Sequence, residues 1–226
     1  MKKIIVTGAA SGLGKAIADS LEGFGIEVIR YDIKLDSTHD VCQPGDAFEG
    51  VEDIGGLINC AGVNHNEWFE DVSWERFSHI MDTNAFSFVA MTQAVLPQLK
   101  ASKGFVLNIV SNAAHIPMTS SLAYNASKAA GLMITKQMAH ELTPKYGITV
   151  FSISPNKLEG TGMSKAIEEN VCKVRGWTPE FAAEYQKKAL MHGLETPPEA
   201  IAIIVRTLVI TGQWKYLSGC DLPFGK

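Results

Sequence analysis

The chain has 226 residues, 46% of them hydrophobic and 19% charged, with a formal net charge of −4. That balance predicts one folded α/β domain over 1–226 and argues against disorder and against the broad basic surface of a nucleic-acid binder. No uninterrupted apolar run reaches the length of a membrane span.

Met1-Lys2-Lys3-Ile4-Ile5-Val6 resembles the start of a signal peptide, but its apolar run breaks at Thr7-Gly8 and reads as a first buried strand. A cytoplasmic protein is the expectation. The four cysteines form no CxxC pair, and no two histidines stand at metal-ligand spacing. Reduced thiols and no metal site follow.

In chain order, Ile4–Val6 is a short buried strand and Gly8 to Gly14 a glycine turn. A helix from Lys15 to Phe24 carries its apolar stripe on Ile17, Ala18, Leu21 and Phe24 and is closed by Gly25. Ile26 to Tyr31 is the second strand. This βαβ start predicts a parallel sheet with right-handed crossovers.

The pattern weakens from Ile33 to Asp53, with a short strand near Thr38 to Val41 and a turn at Pro44-Gly45. Gly56 to Cys60 is the next strand, Trp74 to Leu99 one long helical stretch, and Phe105 to Val110 a strand that delivers Ser111 at its end. Ser121 to Tyr146 is helical, capped by Ser120 or Ser121 and stopped by Gly147. Ile148 to Ile153 is a strand, and 156–196 is a loop with helices that serves as a substrate lid. Pro197-Pro198 opens a helix to Ile210, and Lys215 to Ser218 is a last strand.

The turn Gly8-Ala9-Ala10-Ser11-Gly12-Leu13-Gly14 lies between a predicted strand and a predicted helix, the context in which a glycine motif signifies a bound dinucleotide. Backbone N–H groups from Gly8 through Ser11, Gly12, Leu13 and Gly14, together with the helix dipole, would hold a pyrophosphate. Asp32 follows Gly14 by eighteen residues, at the end of the second strand, where a carboxylate accepts hydrogen bonds from an adenosine ribose and repels a 2′-phosphate. NAD is therefore favoured over NADP, with Lys34 as the residue that could relax the preference.

Tyr124 and Lys128 stand at i and i+4, on one helix face, with Ser111 thirteen residues before the tyrosine. A nearby ammonium favours the phenolate, which makes tyrosine a usable acid or base. Ser111 at a strand end could hold the substrate oxygen.

With these residues in place the chain resembles the short-chain dehydrogenase/reductase superfamily. The resemblance rests on Thr7-Gly8-(x)3-Gly12-x-Gly14, Asn59-Cys60-Ala61-Gly62, Asn84, Ser111 and Tyr124-x-x-x-Lys128, in family order. It implies a Rossmann-like, doubly wound domain with a mostly parallel seven-stranded sheet flanked by helices. It also implies an NAD(P)-dependent dehydrogenase or reductase that is a homotetramer or homodimer.

Ser111 would orient the substrate oxygen, Tyr124 would be the general acid/base, Lys128 would bind the nicotinamide ribose, and Asn84 would hold a water in the proton relay. Asp40-Val41 is similar to the family's Asp-Val pair beside the adenine. Asn59, Ala61 and Gly62 match its cofactor-side strand end. Pro155 and Thr161 would meet the nicotinamide.

The family's Pro-Gly after the sixth strand is Pro155-Asn156 here, and Cys60 replaces an Asn. The span from Asp32 to Asn59 is short, which predicts a truncated third strand and crossover helix.

The implied partner is a small-molecule alcohol or ketone, with His65, His115, Met118 and Met163 as candidate pocket residues. Trp177, Phe181 and Tyr185, spaced by four, read as the packing face of a lid helix ahead of a substrate face. Lys173 and Arg175 stand isolated. The apolar stretch Ala85 to Val95 needs cover on more than one side, from the core or a partner. Two alternatives are a 3-oxoacyl-thioester reductase and a cofactor-sensing module without turnover.

Overall fold

The computed structural model describes residues 2–190 and 192–225. Its sheet has six parallel strands in the order β2-β1-β3-β4-β5-β6. They are β1 (Lys3–Thr7), β2 (Val28–Tyr31), β3 (Ile54–Asn59), β4 (Phe105–Ile109), β5 (Thr149–Pro155) and β6 (Asp221–Phe224). The central strands β3, β4 and β5 are buried along their whole length, which explains their near-continuous apolar runs.

Helices cover both faces. On one side α1 (Gly12–Glu22) and α8 (Pro198–Thr211) pack over Leu107, Phe151 and Ile153. On the other, α3 (Ser87–Ala94), α4 (Leu96–Ser102) and α5 (Leu122–Tyr146) cover Leu57, Val106 and Val150. Alternate residues of each strand feed the two layers, as the two-residue side-chain period requires.

The expected seventh strand is absent among the described residues, and so is the crossover helix between β2 and β3. The connection is a loop, which makes β2 the sheet edge. The short strand expected at Thr38–Val41 is part of that loop. Asp36 accepts the Thr38 N–H at 2.9 Å and Asp40 accepts the Cys42 N–H at 2.9 Å. Such local side-chain bonds compete with a strand ladder for the same backbone. Val41 and Phe48 are buried against Tyr31, Met91 and Leu99, where a crossover helix would pack.

The predicted helical stretch from Trp74 to Leu99 is present, with a π turn inside it and one interruption at Val95. After α2 (Trp74–Met81) the backbone makes a π turn over Asp82–Phe86, and α3 ends at Val95 ahead of Pro97, which has no N–H to continue the ladder. In the stretch Ala85 to Val95, Phe88 and Met91 are buried while Phe86 is half exposed. Gly25 follows the end of α1 with φ 77°, and closure of that helix is shared with Gly23.

The last strand is Asp221–Phe224; Gln213–Tyr216 is a 3-10 turn whose Trp214 packs on Phe105 at 5.1 Å. Gly147 ends α5 in the left-handed conformation, as expected. The segment 156–196, expected as a lid, holds α6 (Gly162–Arg175) and α7 (Pro179–Ala189).

Because Phe48 fills the place of a missing helix, Phe48→Ala is expected to lower the unfolding free energy by about 3 kcal/mol or more. Urea denaturation checks this, and a loss under about 1 kcal/mol would show that the loop is not core.

Candidate active site

The site forms where β1, β3, β4 and β5 end. The glycine turn starts against β3: a Cβ at Gly8, whose φ is 67°, would stand 2.9 Å from the Ala61 backbone. A Cβ at Gly14 would lie 2.3 Å from the Gly8 carbonyl oxygen. Only glycine permits these approaches, and they bring the α1 N-terminus down onto the strand ends. Ser11 is the N-cap of α1 but its side chain makes no cap bond, and no acid lies in the first turn. The Gly8 and Ala10 N–H groups donate to the Tyr31 carbonyl and to Asp32, whereas among the described residues those of Gly12, Leu13 and Gly14 have no partner, and an open helix N-terminus of this kind fits the pyrophosphate of a dinucleotide.

Asp32 is buried at the end of β2 and staples this turn. Its Oδ2 accepts the Ala10 N–H at 2.9 Å and its Oδ1 the Lys34 N–H at 2.8 Å. Each oxygen retains lone-pair capacity for a ribose hydroxyl. Arg30, which no sequence motif marks, lies alongside: Nη1 donates to the Ala9 carbonyl at 3.3 Å, while Asp19 and Glu22 take Nε and Nη2. These two carboxylates raise its pKa above the ordinary arginine value. Asp40-Val41 sits on the same edge, with Val41 buried and the Tyr31 hydroxyl 3.4 Å from the Asp40 carbonyl.

At the other end of the turn, Thr161 caps α6 by accepting the Ser164 N–H at 3.1 Å, and its Cβ lies 3.7 Å from where a Gly12 Cβ would be. Thr161 therefore stands beside the glycine turn. Pro155 ends β5. Asn156 is absent from the positive-φ residues, so the position needs no glycine; its Oδ1 instead accepts the Thr196 hydroxyl at 2.6 Å.

The catalytic candidates converge. Lys128 is buried, donates to the Ile109 carbonyl at 3.0 Å, and holds its ammonium 5.7 Å from the Tyr124 ring centroid. Gly62 lies next to it: a Cβ there would be 3.8 Å from Lys128 Nζ and 3.2 Å from Asn84 Oδ1. Burial pulls Lys128 down to about 8, partly offset by the neighbouring Cys60 thiol. Burial pushes Cys60 up to about 12, where it is an inert thiol. It also pushes the Tyr124 phenol above its ordinary value, and the Ser111 hydroxyl counteracts that by hydrogen bonding. Ser111 thus acts on the phenol directly, whereas the Lys128 ammonium is spent on a backbone carbonyl.

Asn84 lies in the π turn with its side chain fully engaged. It accepts the Val63 N–H at 2.8 Å and donates to the Val63 carbonyl at 2.8 Å and to Ser127 Oγ at 3.0 Å. It ties the loop after β3 to α5. Asn59 donates to Asn108 at 2.8 Å, and Asn108 to Thr135 at 2.9 Å, a buried relay from β3 through β4 to α5.

The pocket candidates separate. His115 pairs with Asp221 at 2.9 Å, and Asp221 also accepts the buried Ser152 and Ser154 hydroxyls. His65 lies 4.0 Å from Glu67, and Met118 and Met163 are partly exposed. Trp177, Phe181 and Tyr185 pack on one another, with centroids 4.8–6.4 Å apart, at the α6–α7 junction. Arg175, isolated in the sequence, hydrogen-bonds Ser120 at 3.0 Å and lies over the Trp177 ring. Asn125, one residue past Tyr124, grips the Ser111 loop through the Ala113 and Ile116 carbonyls at 2.7 and 2.6 Å. Among the described residues, no group of three or more His, Cys, Asp or Glu side chains could hold a metal.

Comparison with known proteins gives a consistent result. A family model described as short chain dehydrogenase matches residues 45–171. The sorbitol-6-phosphate 2-dehydrogenase of Klebsiella pneumoniae is 30% identical, over 96% of this chain and 91% of its own length. A 3-oxoacyl-[acyl-carrier-protein] reductase of Vibrio cholerae is 31% identical, over 74% and 78%. An actinorhodin polyketide ketoreductase solved with NADPH superposes with a TM-score of 0.88 at 23% identity, over 99% of this chain and 96% of that one. The last likeness concerns the fold alone.

The buried lysine yields a linkage prediction for the purified protein without added dinucleotide. Its folded value of about 8 lies below the ordinary 10.5, so the unfolded chain holds the extra proton between those values. Stability from this group is then full above pH 10.5 and is lost as pH falls through 8. Subtracting Lys128→Met from the parent in urea melts isolates the group. The difference should rise in the parent's favour from pH 8 to 10.5, and a flat difference contradicts the burial argument.

Proposed function

The chain belongs to the short-chain dehydrogenase family of NAD(P)-dependent oxidoreductases, and we propose that it interconverts a secondary alcohol and its ketone using NAD(H). The observation that carries this reading is the convergence of Ser111, Tyr124 and Lys128 beside a glycine turn whose Gly12, Leu13 and Gly14 N–H groups have no partner among the described residues. Nicotinamide, when bound, supplies the hydride acceptor or donor.

In the oxidative direction the alcohol O–H donates its proton to Tyr124 Oη as the carbon gives up hydride; in the reductive direction Tyr124 returns the proton to the carbonyl oxygen. Ser111 donates to that same oxygen and stabilises charge as it develops. Lys128, fixed by the Ile109 carbonyl, has further ammonium protons that would hold the nicotinamide ribose. Gly8, Ser11, Gly12, Leu13 and Gly14 would take the pyrophosphate, Asp32 the adenosine ribose, and Asp40-Val41 the adenine. Asn59, Ala61, Gly62, Pro155 and Thr161 would line the nicotinamide side. Asn84 serves by splicing Val63 to Ser127.

The NAD preference rests on two charges. Asp32 repels a 2′-phosphate, and Arg30, which reaches the Ala9 carbonyl of the turn, is held by Asp19 and Glu22. The chain works as one domain with 156–196 as its substrate lid. We assign it to the cytoplasm; no helix among the described residues is long and apolar enough to cross a membrane. Half-exposed Phe86 beside α3 and exposed Met133 on α5 favour a homodimer or homotetramer.

Following nicotinamide absorbance with a panel of secondary alcohols and ketones, sugar phosphates included, tests the reading. Tyr124→Phe should cost roughly two to four decades in turnover, as loss of a general acid–base does, and near-parental rates would refute the assignment. NADH should exceed NADPH by about tenfold or more in kcat/KM, the equivalent of about 1.4 kcal/mol of charge repulsion. A preference for NADPH together with turnover of 3-oxoacyl thioesters would instead favour the reductase reading that the Vibrio relative suggests. Dinucleotide binding with no turnover across the panel would favour a sensing module.

A further inference from the structure

Among the described residues, Ser120 is one of three other than glycine with positive φ, at 57°, and it stands immediately before Ser121, the N-cap of the helix that carries Tyr124. A side chain is strained in that conformation, which persists only where neighbours over-determine it. The neighbours here come from two places. The Ser120 carbonyl accepts the Glu67 N–H at 3.0 Å and the Asn66 side-chain amide at 3.3 Å, and that amide also reaches Ser121 Oγ at 2.8 Å. From the lid, Arg175 Nε donates to Ser120 Oγ at 3.0 Å and Nη2 to the Thr119 carbonyl. Asn170, also on α6, donates to the Asn66 carbonyl at 2.9 Å. Two side chains of one lid helix thus converge on the residues that set where α5 begins.

The lid itself is lightly held. Among the described residues, α6 and α7 bury only Val171 and Ala182 of their apolar side chains. A cavity of about 490 Å³ lies between them, lined by Glu168, Cys172, Ala182, Gln186 and Leu190 among others. An element with little buried apolar surface opens at low cost. Its docking onto the body runs through polar bonds, including the Trp68 indole N–H to the Val174 carbonyl at 2.8 Å. Arg175 suits such docking because its planar fork serves two acceptors at once while it lies on Trp177 at 4.8 Å.

We propose that Arg175, assisted by Asn170, is a positioning residue that makes the placement of Tyr124 conditional on docking of α6, so that closing the lid completes the proton-transfer geometry. With the lid open, Ser120 keeps only the Asn66–Glu67 side of its clamp and the first turn of α5 loosens. The inference rests on the reading of Tyr124 as the acid/base, but its structural part can be measured without a substrate.

Amide hydrogen exchange of the full-length protein, read by mass spectrometry, is the test. In Arg175→Ala, exchange over residues 119–127 should accelerate roughly tenfold, the effect of losing a charged donor. Arg175→Lys, which keeps the charge but not the fork, should fall between. Lys173→Ala, on the same helix, should match the parent. Acceleration confined to the lid, with residues 119–127 exchanging at the parental rate, overturns the proposal, and so does an equal effect of Lys173→Ala. If Arg175→Ala does not fold, Ser120→Ala, which removes only the hydroxyl acceptor, is read in the same way.

Once a substrate is found, Arg175→Ala should lower kcat, whereas a rise in KM alone would mean that Arg175 serves substrate binding and not Tyr124. If Tyr124→Phe leaves turnover intact, the oxidoreductase reading falls while the exchange result stands on its own.

Discussion

The Thr7 hydroxyl accepts the N–H groups of both Cys60 and Ala61, at 2.9 and 3.0 Å, and the site depends on that splice. It locks the end of β1 to the end of β3 at the level where the glycine turn begins. Everything that follows inherits the register: the Gly8 backbone lies against Ala61, Gly62 opens toward Lys128, and Val63 is clasped on both its polar groups by Asn84. One shared acceptor thereby sets the distance between the glycine turn and the Asn84–Lys128 cluster.

Helix α5 is fixed from a second direction by buried polar contacts. Thr135 of α5 receives the Asn108 amide and returns its hydroxyl to the Gly131 carbonyl at 2.8 Å. Gly131 lets the Phe88 ring approach, where a Cβ would stand 2.9 Å from it. Apolar packing alone tolerates sliding of a helix along a sheet, whereas a hydrogen-bonded relay has one position in which every partner is satisfied. That relay sets the height of α5, and with it where Tyr124 and Lys128 meet the Ser111 strand end. Asn125 adds a direct tie between helix and Ser111 loop.

The legible parts were those governed by local rules. The glycine turn, the i and i+4 pair, the stop at Gly147 and the apolar runs of β3, β4 and β5 follow from backbone sterics and side-chain periodicity, and they read correctly. The illegible parts depended on what lies across the fold. The π turn at Asp82–Phe86, inside a helix that continues through it, has no proline or glycine to announce it. The strand expected at Thr38–Val41 lost to Asx turns, and the last strand moved to Asp221–Phe224, where Asp221 gathers Ser152, Ser154 and His115. Arg175 reads as a solitary cation because its acceptors are more than fifty residues away.

By itself the sequence determined the fold class, the glycine turn and the placing of Tyr124 and Lys128 on one helix, because each is written in spacings of a few residues. Only the tertiary structure decided the strand count, since the short stretch after Asp32 could bury Val41 and Phe48 without forming a strand or a helix. Only it showed that Lys128 donates to the Ile109 carbonyl, that Arg30 is held by Asp19 and Glu22, and that the lid grips Ser120. Those are competitions among partners distant in the chain, and their outcome is set by which groups the packed sheet brings within hydrogen-bond reach.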